Sequence, residues 1–107
     1  MNACAITRED LCTRYLTAFG SPKAIIQTME ECGELTTALA HLSRERSGAL
    51  DEVIEETADV AIMIDVIRAH LGDKRDSNGH TIDDIIAQKY QRMKMRVDTG
   101  NQNAGKE

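Results

Sequence analysis

Apolar residues recur at helical spacing in four separate stretches of this chain, and no stretch sustains the alternation that a half-buried strand needs. That pattern restricts the fold to packed helices. The first stretch opens at Thr7, whose hydroxyl is placed to cap the amide of Asp10. It carries Leu11, Cys12, Tyr15, Leu16 and Phe19 on one face before Gly20 ends it. Ser21-Pro22 starts the second, with serine as N-cap and proline at the first helical position, where its missing N–H is not needed. This helix is expected from Pro22 to about Ser43, with Ile25, Ile26, Met29, Cys32, Leu35, Leu39 and Leu42 as its core face. Arg44 to Ala49 reads as a short connection. The third helix spans about Leu50 to Leu71, with Gly72 as its C′ residue. Asp73 to His80, polar and containing Asn78-Gly79, is a turn cluster. Thr81 and Asp84 make a second capping box ahead of a fourth helix, Ile82 to about Val97.

With 107 residues the chain has room for one core and not for two. One proline and seven glycines argue against a turn-rich β fold, and 3% aromatics leave the core to Leu, Ile, Val, Ala and Met. The expectation is a single all-α domain over residues 1–97, a four-helix bundle-like protomer. Residues 98–107 lack apolar anchors and are expected to form a disordered tail.

The third helix adds a constraint on assembly. Val53, Val60, Ile64, Ile67 and Leu71 form one stripe, while Ile54, Ala61, Ile62 and Met63 lie well away from it. A helix apolar nearly all round must be covered nearly all round. Three other helices of this length cover one side of it, so a homo-oligomer with this helix near the interface is expected. The alternative is a central helix tightly wrapped within a monomer.

Charge excludes several partners. The formal net charge is −5, which disfavours nucleic acid as a partner. The most apolar run, Val60 to Ile67, is broken by Asp65 and is too short for a bilayer span, so no membrane partner is expected. The first residues show no basic region followed by an apolar block, so no signal peptide is expected. Cys4, Cys12 and Cys32 are odd in number and form no CxxC, which suits a reducing cytoplasm.

The acidic residues are unevenly spread. Nine of the 18 fall between Glu30 and Asp59, against two basic residues, Arg44 and Arg46. Glu31 and Glu34 are i, i+3 on the second helix, and Glu56 and Asp59 repeat that spacing on the third. Two helices joined by a short loop are most simply antiparallel neighbours, and facing pairs would bring four carboxylates to one point. Like charges that close need a counter-ion, and all-oxygen ligation suits Mg²⁺ or Mn²⁺. The bland alternative is a pair of solvated helix faces. Against it, the third-helix pair sits at the mouth of the most apolar helix in the chain. In addition Gln27, Glu31, Glu34, Ala38 and His41 make one polar stripe along the second.

Glu31-Cys-Gly-Glu34, 21 intervening residues, then Glu56-Thr-Ala-Asp59 resembles the ExxE…ExxD signature of the MazG-like nucleotide pyrophosphohydrolases. The flanking sequence is similar too. Met-Glu-Glu-Cys-Gly-Glu-Leu resembles that family's EExGEL, and Glu-Glu-Thr-Ala-Asp-Val-Ala-Ile-Met-Ile-Asp its EELADVLIMLD. Lys89-Tyr-Gln-Arg92-Met-Lys-Met-Arg96 is similar to the basic ending of the family's last core helix. The resemblance implies an all-α enzyme, commonly dimeric or tetrameric, in which Glu31, Glu34, Glu56 and Asp59 bind Mg²⁺. It implies cleavage of nucleoside triphosphates between the α- and β-phosphates, to monophosphate and pyrophosphate. The short length resembles stand-alone members, some of which cleanse the nucleotide pool.

The remaining candidates keep two readings each. Glu31 and Glu34 are both candidates for the general base. Lys89, Arg92 and Arg96, at i, i+3, i+7, form either a stripe that grips β- and γ-phosphates or a solvated cationic end complementing the helix dipole. Gln27 and His41 are candidate base or sugar contacts or plain surface residues. Asp65 between Ile64 and Val66 needs a partner if buried, Arg68 across the oligomer interface being one. Tyr90 and Cys32 are expected to pack. Two rival functions remain. A ferritin-like di-iron or di-manganese bundle would need Glu-x-x-His pairs, and His41, His70 and His80 are not three residues after any motif glutamate. A non-enzymatic helical interaction module would leave the converging carboxylates unexplained.

Overall fold

A computed structural model describes residues 5–100, as four α-helices with no strand among them. They are α1 (Arg8–Phe19), α2 (Ser21–Ser43), α3 (Ala49–Leu71) and α4 (Ile82–Thr99). Cys4 and the expected tail from 101 to 107 lie outside the described residues. Asp98 and Thr99, taken from sequence as tail, complete the last turn of α4, which Gly100 closes in the left-handed region at φ +68°. The chain divides after Gly72 into two compact units within the span read from sequence as one domain.

Local chemistry sets the ends. Thr7 Oγ1 accepts from the Asp10 amide at 3.0 Å and starts α1. Thr81 and Asp84 form the full reciprocal capping box of α4. The α1–α2 junction differs from expectation. Gly20, at φ +85°, is the cap of both helices, and Ser21 is already helical with no side-chain cap bond. A positive φ lets the chain reverse within one residue, so serine has no N-cap role to fill.

In the first unit α2 and α3 form an antiparallel hairpin across Arg44–Gly48, with α1 packed on α3. Two residues in left-handed conformation, Glu45 at φ +55° and Gly48 at φ +79°, make the reversal. The buried cluster is Cys12, Ala24, Met63 and Val66, with Tyr15, Leu16 and Ala69 packed partly against it. No large side chain among the described residues is fully buried.

Of the core face expected for α2, only Leu35 lies in the seam with α3, where it is half-buried. Ile25, Ile26, Met29, Cys32, Leu39 and Leu42 are exposed, while Ala24 and Ala38 are buried. The seam runs through Ala24, Thr28, Glu31, Leu35 and Ala38, in alternating steps of four and three. Alanines let the two backbones approach closely, and the large apolar residues of α2 point elsewhere. On α3 the buried positions are Ala49, Met63 and Val66, while of the expected stripe Val53, Val60, Ile67 and Leu71 are half-buried and Ile64 is exposed. Ile54 and Ile62 are about 60% exposed, so α1 and α2 do not cover this helix all round.

In the second unit a polar turn precedes α4. Asp76 Oδ1 accepts from the amides of Asn78 at 2.9 Å and His80 at 3.0 Å, and the Arg75 guanidinium donates to the Gly79 carbonyl at 2.8 Å. Those donated bonds, from the His80 amide first, hold the Asp76 carboxyl below its usual range. The Thr81 amide does the same for Asp84. Tyr90, expected in the core, is exposed on α4, because its helix offers no buried position.

Candidate metal centre

The α2–α3 seam is apolar or small near Ala24, where Met63 and Val66 pack, and small again at Ala38. Between those points it carries acids. Glu31 comes from α2, and Glu56 and Asp59 come from α3 one turn apart. One carboxylate oxygen of each lies within 4.8 Å of the others. The antiparallel hairpin therefore brings together what the spacing anticipated, three of the four motif carboxylates. Glu34 lies outside that set and is exposed. It belongs to the same electrostatic group, since its carboxyl is pushed above the usual range mainly by Glu31 and then by Glu56. Burial raises Glu56, and Asp59 and Glu31 add to it.

The two oxygens of Glu31 have different surroundings. Oε2 accepts from Gln27 Nε2 at 2.6 Å. Oε1 is buried and accepts no hydrogen bond, and Glu56 Oε1 shares that condition. An ionised carboxylate oxygen shielded from water and from donors costs free energy unless a cation meets it. Its neighbours here are further carboxylates. The donor set is oxygen only, which fits Mg²⁺ or Mn²⁺ and leaves no imidazole or thiolate for a softer metal. The residues present thus fit a hard divalent ion.

Other sequence candidates fall elsewhere. His41 is about 10 Å further along α2 than Glu34. Its Nδ1 lies 3.1 Å from Glu52 Oε1, tying the hairpin near its turn, and it does not join the carboxylates. Lys89, Arg92 and Arg96 follow one another along α4 in the second unit, the first two exposed and Arg96 half-buried. Asp65, for which a partner is needed if it is buried, is exposed in a single chain and borders the groove beside α1. Cys32, expected to pack, is exposed on α2. Its position beside Glu31 turns it off the seam.

Sequence reasoning named Gln27 as a base or sugar contact or a surface residue and missed its bond to Glu31, and it missed a groove elsewhere on α3. Gln27 is a hydrogen-bond donor to Glu31, for which the i, i+4 spacing of an amide and a carboxylate was a usable signal. Between α1 and α3 lies a groove of about 790 Å³, with Cys12, Tyr15, Phe19 and Ile62 in its wall and Arg8 and Asp65 also bordering it. Ala58 and Ala61, small residues on the α3 side, leave that space open. The chain matches no family model, no curated protein and no solved structure.

Proposed function

We propose that this chain is a Mg²⁺-dependent nucleoside triphosphate pyrophosphohydrolase. It cleaves (d)NTPs between the α- and β-phosphates to monophosphate and pyrophosphate, as a house-cleaning enzyme of the cytoplasm. The observation that carries the reading is the close carboxylate trio of Glu31, Glu56 and Asp59, in which Glu31 and Glu56 each hold one buried, donorless oxygen. The ExxE…ExxD resemblance supplies the reaction.

Each residue has a separable task. Glu31, Glu56 and Asp59 hold the ion. When bound, it offsets the negative charge between carboxylates and phosphate and acidifies water. Glu31 has one oxygen accepting from Gln27 and is assigned to holding the ion. Glu34 is the remaining base candidate. It is exposed beside the trio, and without an ion the Glu31 and Glu56 charges hold its carboxyl above the usual range. In this scheme the water oxygen joins phosphorus, the α–β anhydride bond breaks, pyrophosphate leaves and Glu34 takes the proton. Lys89, Arg92 and Arg96 have the spacing of a polyphosphate grip on α4.

The enzyme is also proposed to be a homo-oligomer. Ile26 and Met29 on α2 and Ile54 and Ile62 on α3 are each more than half exposed in one chain, an apolar load that a second copy would cover. No helix among the described residues is long and apolar enough to cross a membrane. The test is pyrophosphate release by the full chain from a panel of dNTPs with Mg²⁺. Release that vanishes in Glu56→Ala and Asp59→Ala supports the reading. A folded protein that releases none from any nucleotide overturns it.

A further inference from the structure

We infer that Gln27 is a positioning residue of the metal centre, one that orients Glu31, and not a contact to the nucleotide base; this rests on the metal reading above. Gln27 and Glu31 are one turn apart on α2, both half-buried. The amide Nε2 donates to Glu31 Oε2 at 2.6 Å. Against a carboxylate only the NH₂ end of the amide fits, since its carbonyl oxygen would meet another acceptor. The bond holds the carboxylate plane and leaves Oε1, the buried oxygen without a donor, as the free ligand atom. A glutamate side chain has three rotatable bonds, and a ligand left free to turn must be ordered at the moment of binding. Gln27 imposes that order before a cation arrives.

The residue type fits this task. Lysine or arginine at position 27 would bring a positive charge to Glu31 and compete with the ion. Serine is too short to reach across a helical turn. Glutamine gives an N–H with no charge, so the full negative charge of the carboxylates stays available to the cation. One N–H of the amide is committed to Glu31, and the orienting role uses neither the second N–H nor the carbonyl oxygen.

The experiment titrates Mn²⁺ into the full chain, following the free-ion paramagnetic signal, for the wild type, Gln27→Met and Thr36→Ala. Methionine matches glutamine in length and helix propensity and lacks the donor. Thr36 is an exposed α2 residue bonded to its own helix backbone and serves as the control. Gln27→Met is expected to weaken Mn²⁺ binding about 10- to 100-fold, with helicity and metal-free melting unchanged and Thr36→Ala like the wild type. Its kcat/KM is expected to fall by one common factor for all dNTPs. Unchanged Mn²⁺ affinity in Gln27→Met overturns the inference alone, as does a loss confined to one base. A wild type that binds no Mn²⁺ overturns the metal reading and this inference with it.

Discussion

Glu31 on α2 and Glu56 on α3 each hold one carboxylate oxygen buried where no hydrogen-bond donor reaches it. Folding thus places negative charge where it is disfavoured, and the Glu34 and Glu56 carboxyls respond with raised pKa values. A carboxyl that binds its proton more tightly folded than unfolded adds stability as pH falls through its folded pKa, down to the unfolded value of about 4.3. Asp76 and Asp84 are lowered instead, and what they contribute above about pH 4 is lost on further acidification. The metal-free protein is therefore expected to melt at a higher temperature near pH 5 than at pH 7.5, and lower again below about pH 4. Saturating Mg²⁺ at pH 7.5 is expected to raise the melting temperature and remove the gain on going to pH 5. Calorimetric or dichroic melts with EDTA or Mg²⁺ check this, and a metal-free melting temperature flat from pH 7.5 to 5 would refute it.

The different surroundings of Glu34 and Asp59 separate two kinds of variant. Asp59 contributes an oxygen to the close trio, whereas Glu34 is exposed beside it. Asp59→Asn is expected to lose Mn²⁺ affinity and activity together. Glu34→Gln is expected to keep Mn²⁺ binding while kcat falls about 10²- to 10⁴-fold, the range for a lost general base. Equal loss of Mn²⁺ affinity in both variants would remove Glu34 from the base role.

What was legible in the sequence follows from which signals are local. Helix bounds came within two residues because Thr7, Gly20, Gly72 and the Thr81–Asp84 box act within one turn of where they stand. The convergence of Glu31, Glu56 and Asp59 was legible because a short loop forces antiparallel neighbours and an i, i+3 spacing fixes the face. The core face of α2 was not. Ile25, Ile26 and Met29 carry the apolar weight, yet the seam chose Ala24 and Ala38, because closeness of approach between two helices depends on small residues. Size complementarity across a seam is a property of two helices at once, and periodicity along one does not encode it.

Those uncovered apolar residues give a test of assembly. Ile54 and Ile62 on α3 are about 60% exposed in a single chain. Sedimentation of the wild type is expected to show a dimer or larger species. The Ile54→Glu, Ile62→Glu double variant is expected to shift toward monomer with helicity retained, because burying two new carboxylates between copies is costly. A wild type that sediments as a monomer at tens of micromolar would count against the oligomer.

The hairpin turn stores strain at one position. Glu45 is the only non-glycine residue with positive φ among those described, at φ +55°. An L-residue with a long side chain is disfavoured there by about 1–2 kcal/mol, and asparagine tolerates the region better. Glu45→Asn is expected to stabilise the protein by about 0.5–1 kcal/mol in urea unfolding, with m unchanged. A loss of stability would mean that the left-handed turn is not the native one.

Ala38 ties packing to chemistry. It is 2% exposed in the α2–α3 seam, one turn beyond Glu34 and two beyond Glu31. Its methyl group sets how closely the helices approach on that side of the carboxylates. Leucine there adds three carbons where no room exists, and the cheapest relief is to push α2 away from α3. Overpacking of this kind costs about 1–3 kcal/mol, and the displacement would also part Glu31 from Glu56 and Asp59. Ala38→Leu is therefore expected to lower the unfolding free energy and weaken Mn²⁺ binding at least about tenfold, as loss of ligand orientation does. Ala38→Ser adds one atom and is expected to spare both. Chemical denaturation and Mn²⁺ titration measured on the same samples check the coupling. An Ala38→Leu protein that is destabilised but binds Mn²⁺ like the wild type would show that the carboxylate geometry does not depend on this close approach.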